Sequence, residues 1–202
     1  MPYNSKMSLK AANINPHYHH TGEQLNEEMM IIEAAKLNPQ RFAPLYDKYY
    51  KQIFNYLYQR MDDKDTAFDL TGQVFLKALT NLSNYQFKGV PFASWLYRIA
   101  HNEMMQLFRS SKEKRAINAD ISDLRYICEE NEEPFFEEYI PAIKKLIQEL
   151  KEEELQLVEL RFFEKRAFKD IAEIMDITEV NAKVRMYRII EKLKKQLSKL
   201  KT

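Results

Sequence analysis

The chain is poor in residues that break or staple a fold. It has only 3 glycines among its 202 residues and 1 cysteine, Cys128. So few glycines, with strand-like alternation equally scarce, favour helices over strands. One cysteine excludes an internal disulfide framework and fits a reducing compartment. No apolar run approaches the roughly 20 residues that span a bilayer, and the N-terminus carries no apolar core of a signal peptide. These absences lead to the expectation of a soluble, cytoplasmic protein without membrane insertion. A catalytic constellation is also missing. His17, His19 and His20 cluster near the start, but no cysteine or carboxylate group beside them completes a ligand set. We therefore expect no catalytic residues, no metal and no cofactor.

Excess charge of one sign is lacking overall, since 31 Lys and Arg offset 30 Asp and Glu to leave +1. The balance conceals segregation, which says more about partners than the sum does. Residues 116–140 carry Asp120, Asp123, Glu129, Glu130, Glu132, Glu133, Glu137 and Glu138 against a single base, Arg125. Residues 183–202 carry Lys183, Arg185, Arg188, Lys192, Lys194, Lys195, Lys199 and Lys201 against one acid, Glu191.

Periodicity and punctuation divide the chain into a disordered polar tail (1–22), a helical domain (23–115), an acidic linker (116–140) and a second helical domain (141–202). In the first domain Leu25, Met29, Ile32 and Leu37 approach helical spacing. Asn38-Pro39 reads as an N-cap followed by a first-turn proline. Phe42, Leu45, Tyr46, Tyr49, Ile53, Phe54 and Leu57 share one helix face, with Pro44 starting or kinking that helix. A third helix follows Asp62-Asp63, with Ala67, Leu70, Val74, Phe75 and Ala78 inward, and Gly72 interrupts it. Pro91 opens a fourth. The expected fold is all-α: an N-terminal helical bundle and a C-terminal helix-turn-helix bundle, with the second domain starting near Pro141.

The segment from Phe168 to Arg188 is the sharpest motif. Ile171, Ala172 and Met175 face inward on a short helix, and the small Ala172 lets a second helix cross closely. Ile177 plugs the turn, Thr178 caps the next helix, and Glu179 lies in its favourable first turn. Val184 falls where that helix packs back. Glu179, Asn181, Lys183, Arg185 and Arg188 remain for the outward side, the arrangement in which a recognition helix enters the major groove. An ordinary amphipathic helix pair with a basic face is the competing reading.

This segment, from Leu155 through the Asp170-Ile171-Ala172 helix to Arg188, resembles the C-terminal promoter-binding region of sigma-70 family RNA polymerase sigma factors of the extracytoplasmic-function group. Phe42–Tyr49 is similar to the family's first core-binding helix. Asp65–Leu79 is similar to the segment that binds the polymerase clamp helices, and Phe92–Asn102 to the helix that opens and reads the upstream promoter element. The resemblance covers roughly residues 26–115 and 141–198. Gly72, Gln106 and Phe168 depart from the family pattern.

The resemblance implies a non-enzymatic transcription initiation factor that binds core RNA polymerase, promoter DNA and an anti-sigma factor. It would read the −10 element with the first domain and the −35 element with the second. Asp65, Asp69, Gln73, Phe75 and Leu76 would meet the polymerase. Tyr85, Phe87 and Lys88 in an aromatic loop suit single-stranded DNA, because bases stack on aromatic rings; aromatics folded onto the core are an equal competing reading for each single residue. Arg98, Asn102 and Arg109 would line a polar side of the fourth helix, extended by Lys112, Lys114 and Arg115. Lys169, Thr178, Glu179, Asn181, Lys183, Arg185 and Arg188 would meet the −35 duplex. Two other readings stay open: a free-standing helix-turn-helix regulator with an N-terminal sensor or interaction domain, and a nucleic-acid enzyme, against which the missing catalytic groups count.

Overall fold

The computed structural model describes residues 21–61, 63–110, 116 and 136–200. The expected tail up to residue 20, nearly all of the acidic linker, Cys128, the three N-terminal histidines, Lys112, Lys114 and Arg115 lie outside these residues. Every element among the described residues is helical.

Helix α1, Gly22–Leu37, begins with a capping box. Thr21 Oγ1 accepts from Gln24 N (3.3 Å) and Thr21 N donates to Gln24 Oε1 (2.9 Å), satisfying two groups that a helix start leaves orphaned. Its inward face is Glu28, Ile32 and Ala35, and Leu37, expected on the apolar face, is exposed. A buried glutamate there is paired on every side. Tyr49 and Lys48 donate to one oxygen of Glu28 and the backbone N–H of Phe92 to the other (2.7 Å). Glu28 thus caps the N-terminus of another helix, where negative charge is favourable. Burial, with the Glu28 charge and hydrogen bond, pushes the Tyr49 hydroxyl well above its ordinary range, so it stays a donor.

Asn38 Oδ1 accepts from Gln40 N (3.0 Å) and caps a 3-10 turn, Pro39–Phe42, which leads into α2, Ala43–Tyr58. Pro44 lies in the first turn of α2, where a missing N–H costs nothing. It starts the helix and does not kink it. Helix α3, Lys64–Thr80, is capped by Asp63, whose carboxylate accepts from the Thr66 N–H (2.7 Å) and hydroxyl (2.6 Å); these bonds hold the Asp63 carboxyl below its usual range. Helix α4, Phe92–Ser110, follows Pro91.

The second lobe begins with α5, Phe136–Gln148, so Pro141 lies inside this helix rather than at its start. The proline forfeits one backbone hydrogen bond just past the first turn. Helix α6, Glu152–Val158, runs into a π-turn, Glu159–Phe163, closed by Glu164 N donating to Glu159 O (2.9 Å). Helix α7, Phe168–Met175, ends on Asp176 in the left-handed region (φ 56°), and α8, Glu179–Leu200, follows. Asp is among the few side chains that visit this region routinely. Thr178 Oγ1 accepts from Asn181 N (3.1 Å) at the start of α8. The inward stripe of α8 is Ala182, Met186, Ile189 and Leu193. Val184 is exposed, contrary to the sequence expectation, because α7 crosses against the Ala182–Met186 side.

The two lobes pack together, with α7 against α4 and a buried charged seam between them. Arg60 Nε donates to Glu159 Oε2 (2.9 Å) and its Nη1 to Glu164 Oε1 (3.2 Å). Tyr97 Oη donates to Glu164 Oε2 (2.8 Å) and accepts from Arg166 Nη2 (3.0 Å). The guanidinium groups of Arg60 and Arg166 lie over the rings of Tyr56 (3.8 Å) and Tyr97 (4.5 Å). Burial alone would depress Arg60. The Glu159 charge, with Tyr56 and Glu164, more than offsets it and keeps the group cationic.

Candidate nucleic-acid and polymerase interfaces

Three surfaces carry the expected site residues. The first lies on α3. Residues spaced three and four apart lie on one helix face, and Asp65, Phe68, Asp69, Gly72, Gln73 and Leu76 are all exposed. Phe75 is not part of this surface. It is buried, ring against ring with Phe42, Tyr46 and Tyr50, because the inward stripe Leu70–Val74–Ala78 carries its neighbour at the next turn. Gly72 sits mid-face with open space where a Cβ would project, so nothing inside the fold requires glycine there. Beside this face α2 presents a ladder that sequence inspection missed: Tyr46, Tyr50, Phe54 and Tyr58. Successive rings lie 5.1, 6.3 and 5.7 Å apart, and Phe68 of α3 meets Tyr50 edge-on at 6.4 Å. The signal was available as an i, i+4 run of aromatics.

The second surface is the loop 85–90 with α4. Tyr85 is buried, its ring packed on Phe92 (5.1 Å) and Trp95 (5.0 Å), and burial pushes its hydroxyl above the ordinary range. It supports the loop and offers no free ring face to a base. Phe87 is partly buried against the core and Lys88 is exposed. Gly89 adopts φ +69°, which favours glycine, and its carbonyl accepts from Lys169 Nζ (2.6 Å). On α4, Asn102 and Arg109 are exposed while Arg98 is partly buried. Arg98 donates to both the backbone carbonyl and the carboxylate (2.9 Å) of Glu173 on α7. Lys88 pairs with the same carboxylate at 3.1 Å. Three expected DNA contacts, Lys88, Arg98 and Lys169, are therefore engaged across the seam.

The third surface is the outer face of α8. Glu179 and Lys183 pair at 2.6 Å. Arg185 turns sideways, donating to Asn181 Oδ1 (3.0 Å) and Glu153 Oε2 (3.0 Å). Arg188 is exposed. Among them stand exposed apolar side chains, Val180, Val184 and Tyr187. Among the described residues no group of three or more His, Cys, Asp and Glu is arranged to hold a metal ion, and no helix is long and apolar enough to cross a membrane.

With that geometry in view, the chain matches two family models: Sigma-70 region 2 over residues 45–114 and Sigma-70, region 4 over residues 141–193. It is similar to the ECF RNA polymerase sigma factor BldN of Streptomyces coelicolor, 28% identical over 172 residues that cover 84% of this chain and 65% of that protein. The chain thus spans under two thirds of that relative's length. It is also similar to the ECF RNA polymerase sigma factor SigW of Bacillus subtilis, 26% identical over 187 residues, covering 86% of this chain and 100% of that protein. Among solved structures, CnrH in complex with the cytosolic domain of CnrY shares the fold, with a TM-score of 0.57 at 16% identity over 85% of this chain and 97% of that one. The chain belongs to the sigma-70 family of RNA polymerase sigma factors, in its extracytoplasmic-function group.

Proposed function

We propose that this chain directs core RNA polymerase, in the cytoplasm, to promoters whose two elements are read by separate lobes. The observation that carries this reading is the presence of regions 2 and 4 in order on one chain, each with its own exposed polar or basic helix face. The outward face of α3, Asp65, Asp69, Gln73 and Leu76 with Phe68, docks on the polymerase, and the aromatic ladder of α2 extends that surface. The −10 element is met by Phe87, Lys88, Arg98, Asn102 and Arg109, with Tyr85 supporting the loop from beneath. The −35 duplex is met by α8 through Asn181, Lys183 and Arg188, with Lys169 and Thr178 at the entry of the motif. Glu179 and Arg185 set the polar rim.

No step of this work needs a catalytic side chain. Phosphate contacts and stacking offset the cost of unpairing the strands, and the polymerase performs the chemistry. The seam adds one condition. Glu173 pairs with both Arg98 and Lys88, so the partly buried Arg98 is released to phosphate when the lobes part, as they must to span two promoter elements on the polymerase, whereas the exposed Lys88 is only partly neutralised beforehand. An anti-sigma factor that holds the lobes is the natural opposing partner.

The test is reconstituted transcription. Core polymerase with this chain should start at a specific promoter that core alone ignores. A free-standing regulator confers no initiation by itself, and that result would overturn the reading.

A further inference from the structure

The outer face of α8 is not the uniformly polar surface its sequence leads one to expect. Val180 is 71% exposed, Val184 43% and Tyr187 46%. They recur at i, i+4 and i+7, so they form one stripe, directly opposite the buried stripe of Ala182, Met186, Ile189 and Leu193. Nothing in the fold calls for valine there. A β-branched residue on the solvent side of a helix loses side-chain freedom and gains no packing.

Lys183 borders the stripe on one side and Asn181 and Arg188 on the other, so an apolar ridge stands between groups suited to phosphate. Glu191 lies on the same face about two turns beyond Val184 and would repel phosphate there. The ridge is therefore confined to the first half of the helix, the part that a helix-turn-helix inserts into the groove. Duplex DNA offers one apolar feature in the major groove, the 5-methyl group of thymine. From Val180 to Tyr187 the helix rises about 10 Å, which matches about three base pairs.

We propose that Val180, Val184 and Tyr187 read thymine methyl groups in the upstream promoter element, and so help to determine which promoters this factor selects. The proposal rests on the reading of α8 as the promoter-duplex helix and adds the chemistry of its specificity. Polar contacts from Asn181, Lys183 and Arg188 position the helix, and the valines make a methyl-free pair the poorer fit.

The test uses the full chain assembled with core polymerase. Duplex DNA randomised over the upstream element is selected for binding by this holoenzyme. The selected duplexes are then resynthesised with deoxyuridine in place of each thymine, which removes one methyl group and preserves pairing. The expected result is thymine enriched within about three consecutive base pairs. Each methyl removed should weaken wild-type binding about fourfold, while a Val180→Ala/Val184→Ala double variant, already weaker, responds far less. Both alanines favour the helix, and an unchanged thermal melt checks that the variant folds. Selection of a defined sequence whose affinity ignores deoxyuridine would overturn the methyl reading alone. Equal losses in wild type and double variant would do the same. Failure to select any sequence, with no initiation, would overturn this proposal and the promoter-directing function together.

Discussion

The seam between the lobes and the outer face of α8 both carry arginines, yet they solve opposite problems. In the seam Arg60 and Arg166 are fully buried, each with its guanidinium over a tyrosine ring and donating to protein acceptors, Arg60 to Glu159 and Glu164 and Arg166 to Tyr97. On α8, Arg188 and Lys183 stand at the surface beside exposed valines. A buried charge is held by fixed partners and is costly to strand. An exposed one contributes little to stability and remains available to a ligand. Charge in this chain therefore sits in two settings, locked between the lobes in one place and, under the proposed function, open to DNA in the other.

Truncation should cost the fold most at Arg60. Arg60→Ala leaves Glu159 and Glu164 without their buried cation and should destabilise the chain by about 3–5 kcal/mol in denaturant unfolding. A loss under 1 kcal/mol would mean that the seam is not closed in solution. On α8 the same kind of truncation should act on DNA and spare the fold. Lys183→Ala and Arg188→Ala in the holoenzyme should each weaken promoter binding about equally across sequences and reduce its salt slope by about 1, with melting temperature unchanged. Arg185→Ala should cost less, because Arg185 is already held by Asn181 and Glu153.

On α3 a glycine separates stability from binding. Gly72→Ala should stabilise α3 by about 1 kcal/mol, since a Cβ meets only open space. If the polymerase approaches this exposed face closely, the same change should weaken association in a pull-down titration. Equal association would place the contact elsewhere on α3. The smallest effect is expected at Glu173. Glu173→Gln removes a partly exposed carboxylate from Arg98 and Lys88, which is worth roughly 0.2–1 kcal/mol. Filter binding should show a modest rise in the free chain's affinity for single-stranded DNA, lost at high salt.

The helices were legible in the sequence because their signals are local. Asn38-Pro39, Pro91 and Thr178 mark starts through hydrogen bonds within three residues, and the 3.6-residue period marks faces. The capping box at Thr21 and Gln24 was equally readable and starts α1 at Gly22, inside the stretch expected to be tail. What escaped was non-local. Arg60 and Glu159 lie 99 positions apart, and no spacing rule links them. Periodicity placed Phe75 inward while the resemblance sent it to the polymerase, and its packing on Tyr46 decides for the inward side. Val184 was misplaced because the inward register of α8 depends on how α7 crosses it, although Ala182, Met186, Ile189 and Leu193 do keep helical spacing. Tyr85 carried a composition suited to base stacking, and its burial against Phe92 and Trp95 depends on a fold that the loop's own residues do not dictate.

The most direct measurement is a footprint of the assembled holoenzyme on a promoter it starts from. Two separate protected elements are predicted. Lys183→Ala with Arg188→Ala should erase the upstream one, and Asn102→Ala with Arg109→Ala the downstream one, each leaving the other in place. Loss of both elements in either variant, or of neither in both, would contradict the assignment of one promoter element to each lobe.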